Sequence, residues 1–97
     1  MTGVERIAAE RQRQIEQEGW TPEHDDKHVR WEMAVAAACY AVHNTTAIVK
    51  DGAGNPGWPW DEKWDKRNKH NRIRRLEIAG ALIAAEIDRL LRLGEGD

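Results

Sequence analysis

Asn71-Arg72-Ile73-Arg74-Arg75-Leu76-Glu77-Ile78-Ala79-Gly80-Ala81-Leu82-Ile83-Ala84-Ala85-Glu86-Ile87-Asp88-Arg89-Leu90-Leu91-Arg92-Leu93-Gly94 is the stretch that decides the fold class. Ile73, Leu76, Gly80, Ile83, Ile87 and Leu90 recur at intervals of three, four and seven, which puts them on one stripe of a helix from about Asn71 to Leu93. Gly94 lies just past the last periodic residue, where helices commonly end. An amphipathic helix is stable only against another apolar surface, so this one predicts a bundle.

Working upstream, the highly charged segment 61–72 suits a short helical turn. Residues 51–60, Asp-Gly-Ala-Gly-Asn-Pro-Gly-Trp-Pro-Trp, hold three Gly and two Pro and read as a loop. A second helix has two plausible starts. Thr21-Pro22 reads as an N-cap followed by Pro at the first helical position; alternatively, Asp25 or Asp26 caps a helix beginning near His28. Either version runs through Trp31, Met33, Ala36, Ala37 and Tyr40 to about Thr46, and its alanines permit close approach of another helix. A first helix spans about Gly3 to Glu18, with Val4, Ile7, Ala8, Arg11 and Ile15 on its stripe and Gly19 as its stop. The expected architecture is all-α: one domain over residues 1–97, three main helices, and a long Trp/Gly/Pro loop between the second and third.

Composition bounds the rest. The 97 residues are 40% apolar and 33% charged, with a formal net charge of -2. One cysteine, Cys39, excludes an internal disulfide framework and reads as a buried small apolar residue. No apolar run reaches the roughly 18 residues that span a bilayer, and Met1–Arg6 lacks a signal-peptide pattern, so a cytoplasmic protein without a membrane partner is expected. There are five Trp and no Phe; Trp20, Trp58, Trp60 and Trp64 fall in or beside loops and Trp31 on a helix. Stripes of Ala, Ile and Leu make a thin core for a chain this short, which argues for helix pairing between subunits.

Three groups of residues carry chemistry. In a continuous helix, His24, His28 and Glu32 would share a face beside Asp25 and Asp26, a set suited to a divalent cation or to an acidic helix N-terminus. Glu32, Glu77 and Glu86 border apolar stripes, where a carboxylate must be paired or bound to a cation. They can meet as a metal site between helices, or form salt bridges such as Glu77 with Arg74, Glu86 with Arg89 and Asp88 with Arg92. From Asp61 to Arg75 seven Lys/Arg face three Asp/Glu, and Trp58, Trp60 and Trp64 stand at the start of that stretch. Cations bind phosphate and Trp faces stack on bases, so the composition fits a nucleotide or single-stranded nucleic acid; its plainer reading is a loop that plugs the bundle beside a solvated charged face.

A run of motifs extends this reading. They are Glu10-Arg-Gln-Arg-Gln-Ile-Glu-x-Glu-Gly-Trp20-Thr-Pro-Glu-His-Asp-Asp-x-His28, Glu32-Met-Ala-x-Ala-Ala-x-x-Tyr40-Ala, Trp58-Pro-Trp60-Asp-x-x-Trp64, and Ala79-Gly-Ala-Leu-Ile-x-Ala-Glu86-Ile-Asp-Arg-Leu90. Over about residues 5–92 the chain resembles a small phage and prophage family grouped with the MazG-like, all-α nucleoside triphosphate pyrophosphohydrolases and dATP/dGTP diphosphohydrolases. The resemblance implies a helical bundle, a homodimer or higher oligomer, in a bacterial host cell. It also implies Mg²⁺ (or Mn²⁺) on helix carboxylates and cleavage of a nucleoside or deoxynucleoside triphosphate to the monophosphate and pyrophosphate. Carried over, the metal ligands would be Glu32 and Glu86, with Asp25 or Glu77 assisting, and Asp26 or His28 the general base. Lys63, Lys66, Arg67, Arg72 and Arg75 would face phosphate, and Trp60 or Trp64 the base. The family's Glu-x-x-Glu and Glu-x-x-Asp pairs are not completed at Glu32 or Glu86, where the third residue on is Val35 and Arg89. That departure favours the alternative: a non-catalytic phage protein that binds a host protein or sequesters a nucleotide.

Overall fold

The computed structural model describes residues 1–42 and 58–94. Its helices are α1 (Gly3–Gln17), α2 (Pro22–Asp25), α3 (Glu32–Ala41) and α4 (Arg72–Arg92), with 3₁₀ turns at Glu62–Trp64 and Arg67–Lys69. No strand occurs among the described residues, so the chain is all-α there. No described helix is long and apolar enough to cross a membrane. The expected end of the second helix near Thr46 and most of the loop at 51–60 lie outside the described residues; 58–60 are irregular.

Local chemistry sets the helix ends. The Thr2 side chain accepts from Glu5 N–H while the Glu5 carboxylate accepts from Thr2 N–H, a complete capping box. Thr21 caps α2 with Pro22 in its first turn, and Asn71 caps α4 by accepting from Arg74 N–H. Gly19 follows α1 at φ 73° and Gly94 follows α4 at φ 83°, a backbone region that strains residues with a Cβ.

Helix two is not continuous. α2 lasts one turn, and the chain reaches α3 through Trp31 at φ 71°, the only non-glycine residue with positive φ among those described. The expected alignment of His24, His28 and Glu32 along one helical face is therefore corrected: a turn, not a helix, joins them. Trp31, expected on the helix, is its exposed N-cap.

The faces that helices bury also differ from the expected stripes. On α4 the buried residues are Glu77, Ile78, Ala79, Ala81, Leu82, Ala85, Glu86 and Arg89, whereas Ile73, Leu76, Ile83 and Ile87 are exposed. The reason lies in the partners. α3 offers Ala36, Ala37 and Tyr40, and Trp20, Trp58 and Trp60 pack against the same cluster as Ile78, Ala79 and Leu82. Alanine meets alanine where the helices are close, and tryptophan supplies the bulk elsewhere.

On α1 the buried residues are Glu10 and Gln14, while Val4 and Ala8 are exposed. α1 is held to α4 by a ladder of charge. Arg6 meets Glu77 at 2.5 Å, Glu77 meets Arg74 at 2.9 Å, Arg74 meets Glu10 at 2.5 Å, and Glu10 meets Arg13 at 2.8 Å. Gln14 donates to Glu10 as well. Burial pushes the Glu10 carboxyl up, but Arg13 and Arg74 outweigh it and hold the group below its ordinary value. Arg74 and then Arg6 likewise hold Glu77 down, against burial. The apolar part of the contact is Ile7 on Gly80: a Cβ built on Gly80 would stand 2.5 Å from Ile7 Cδ1 and 2.8 Å from its Cγ1.

Two predictions follow from this packing. Carboxyls with lowered folded-state pKa stabilise the fold above the unfolded value and lose that contribution as pH falls through the folded one. Tm is therefore expected to hold from neutral pH down to the ordinary Glu range and to drop below about pH 4. Glu10→Gln should flatten that acid limb and cost about 1–3 kcal/mol at pH 7, read by urea unfolding. Gly80→Ala should destabilise the wild-type chain by overpacking Ile7, yet stabilise the Ile7→Ala chain by up to about 1 kcal/mol of helix propensity.

Candidate functional site

The aromatic residues form an arc. Trp20 stacks on His24 (centroids 6.4 Å, 5° between planes), His24 meets His28 edge-on at 5.0 Å, and His28 lies 5.1 Å from Trp60. Trp60 meets Trp58 edge-on at 5.6 Å, and Trp58 meets Tyr40 at 5.8 Å. These six rings line one cavity of about 320 Å³, together with Met33, Leu82, Trp64, Asp25 and Asp61. The volume is at the small end for ligand pockets.

A second cavity of about 290 Å³ shares Trp20, Tyr40 and Trp64 with the first. Its polar wall is Arg13, Lys66, Lys69, His70 and Arg74, against Glu10, Gln14 and Glu18. Burial, and then Arg74, hold the His70 imidazole below its usual range. An aromatic cavity thus adjoins one in which four Lys/Arg face two carboxylates.

Three buried polar atoms on these walls have no hydrogen-bond partner among the described residues: Trp60 Nε1, His24 Nδ1 and Gln14 Oε1. His24 Nδ1 stands 3.6 Å from Asp25 Oδ1, inside ion-pair range for a protonated ring but beyond a hydrogen bond. Unpaired groups of this kind stay destabilising by about 1–3 kcal/mol each until water or a ligand satisfies them.

The residues expected to act are divided between the cavities and a set of ion pairs. Asp25, His28, Trp60 and Trp64 line the first cavity, and Lys66 the second. His28 keeps company with Glu32 despite the broken helix, its Nδ1 3.7 Å from Glu32 Oε2. Burial opposes ionisation of Glu32, but the Arg30 N–H, its own N–H and His28 hold its carboxyl low. Asp26 pairs with Arg92 at 2.6 Å, in place of the expected Asp88–Arg92 bond. Arg67 clasps Asp65 with two nitrogens and lies over the Trp58 ring at 5.2 Å. Lys63 lies over Trp64 at 5.4 Å. Arg75 donates to the His70 carbonyl, and Arg72 is exposed at the start of α4. Cys39 is buried as expected, and burial pushes its thiol up.

Three of the expected metal ligands are held by arginine. Asp25 is bound by Arg11, Glu77 by Arg6 and Arg74, and Glu86 by Arg89 at 2.7 Å, so the salt-bridge reading of Glu77 and Glu86 is the one realised. Among the described residues no three His, Cys, Asp or Glu are grouped to hold a metal ion.

Sequence reasoning missed Tyr40 as an aromatic wall, and Arg13, Gln14 and His70 on the wall of the second cavity; Lys69 and Arg74 belong to the basic stretch it singled out. A signal for α1 was available: Glu10, Arg13 and Gln14 fall at three- and four-residue spacing, so a polar face was legible beside the apolar one. Compared with protein-family models, with curated proteins and with solved structures, the chain has no match.

Asp25 is buried, and Arg11 also donates to the Trp20 carbonyl, so this pair holds the backbone that carries one of the three rings both cavities share. Arg11→Met should cost about 3–5 kcal/mol in denaturant unfolding, because a buried carboxylate is left unpaired. Adding Mg²⁺ or Mn²⁺ should not restore it.

Proposed function

We propose that the protein binds a nucleoside or deoxynucleoside triphosphate, with the base in the aromatic cavity and the phosphates toward the basic one. The observation that carries this reading is the shared wall: Trp20, Tyr40 and Trp64 border both a ring-lined cavity and a cationic one. Flat apolar surface and fixed positive charge at adjoining sites match the two ends of a nucleotide. The resemblance of residues 5–92 to MazG-like proteins points to the same ligand class. Binding that sequesters the nucleotide is the reading favoured by carboxylates already held by arginine.

Hydrolysis to the monophosphate and pyrophosphate is the second reading, and one observation favours it. His28 lines the aromatic cavity with the Glu32 carboxylate in ion-pair range of its Nδ1, where it would stabilise an imidazole that had taken a proton from water.

One experiment addresses both. Titration of the chain with ribo- and deoxynucleoside triphosphates, with and without Mg²⁺ or Mn²⁺, is expected to quench Trp fluorescence saturably. Trp60→Ala should weaken binding about 10- to 100-fold, since stacking on a base contributes about 1–3 kcal/mol. Lys66→Ala with Lys69→Ala should weaken triphosphates while sparing the nucleoside. Absence of saturable binding by every nucleotide would overturn the proposal. Pyrophosphate release that disappears in His28→Asn, with binding retained, would establish the hydrolase.

A further inference from the structure

We infer that the aromatic cavity selects a nucleotide whose heterocycle carries a fixed positive charge, as N-alkylated purines and pyridinium bases do. This class of base presupposes the nucleotide binding proposed above and narrows it.

The two cavities differ in the sign of the charge on their walls. Four Lys/Arg line the basic one. Among the described residues no Lys or Arg lines the aromatic one, which carries two carboxylates, Asp25 and Asp61. Arg11 neutralises Asp25. Asp61 is different. Its Oδ1 accepts from the Lys63 N–H at 2.9 Å and its carbonyl from the Trp58 indole N–H at 3.1 Å, and it joins no ion pair among the described residues. Glu10, Glu18 and Asp25, the other carboxylates on these walls, are each paired with arginine. Asp61 is also exposed, so its charge is open to a ligand from solvent.

The rings add to that charge. The face of an indole or phenol ring is negative, so it attracts a cation more strongly than a neutral ring of the same shape. Two of the tryptophans already hold cations: Arg67 lies over Trp58 at 5.2 Å and Lys63 over Trp64 at 5.4 Å. Neither cation lines the cavity, and Asp65 clasps Arg67 with two hydrogen bonds. A neutral base gains only stacking and burial here. A cationic base gains the ring faces and Asp61 as well, while its phosphates meet the opposite sign of charge in the neighbouring cavity.

Isothermal titration calorimetry of the full chain tests this with two matched pairs at neutral pH. They are 1-methyladenosine triphosphate against adenosine triphosphate, and oxidised against reduced nicotinamide mononucleotide. The cationic member of at least one pair is expected to bind about 5- to 30-fold more tightly, and the pair with the larger ratio identifies the kind of base. Asp61→Asn keeps an oxygen for the Lys63 N–H and should lower that ratio about two- to fivefold, whereas Asp61→Glu keeps the charge and should preserve it. Equal affinities within both pairs would overturn the inference and leave nucleotide binding standing; no binding by any of the four would overturn both. A preference that Asp61→Asn leaves unchanged also counts against it. If that variant loses helical circular dichroism, the wild-type ratio at low and high salt decides: a preference set by an exposed carboxylate shrinks as salt rises, and one indifferent to salt rejects the role of Asp61.

Discussion

A buried carboxylate must find a cation, and in this chain arginine supplies it. Glu10, with 1% of its side chain exposed, is gripped by Arg13 from its own helix and Arg74 from α4. Asp25, Glu77 and Glu86 obey the same rule through Arg11, Arg6 with Arg74, and Arg89. Leaving any of these charges buried and alone would be strongly destabilising, so the pairs constrain how the helices dock. α1 lies on α4 through charge, with Ile7 against Gly80 as its apolar contact. α2 is tied to α1 by Arg11 and to α4 by Arg92.

This rule also shapes the candidate site. With its carboxylates neutralised, the region between α2, α3 and α4 is filled by rings. Trp20 and Tyr40 close the two ends of an arc that runs through His24, His28, Trp60 and Trp58. Lys66 and Lys69 line the neighbouring cavity together with Arg13 and Arg74, the arginines that grip Glu10. A surface for flat rings and a surface for anions thus arise from one packing arrangement, which is why a nucleotide is the ligand proposed.

Much of this was legible residue by residue. The extents of α1 and α4, Thr21-Pro22 as one of the two starts read for the second helix, and the stop at Gly94 are matters of local hydrogen bonding, and the structure reproduces them within a residue or two. Trp58 and Trp60 were visible as loop residues because Gly and Pro surround them. The break at Trp31 was not legible, since a bulky residue at positive φ goes against local preference. The proximity of His28 to Glu32 was suggested by their spacing for a helix, and the turn achieves it by another route.

The sequence by itself determined the helical class, the helix ends and the inventory of rings and charges, because propensity, capping and periodicity act within a few residues. Only the tertiary structure decided which faces are buried. On α4 a periodic stripe of Ile and Leu competes with a second one carrying Glu77, Ile78, Ala81, Leu82, Ala85 and Glu86, and hydrophobicity alone selects the first. The second stripe faces inward because its carboxylates meet arginines and its small residues meet the alanines of α3, while tryptophans cover Ile78 and Leu82. Those partners lie in other helices and in a loop, beyond the range over which periodicity operates.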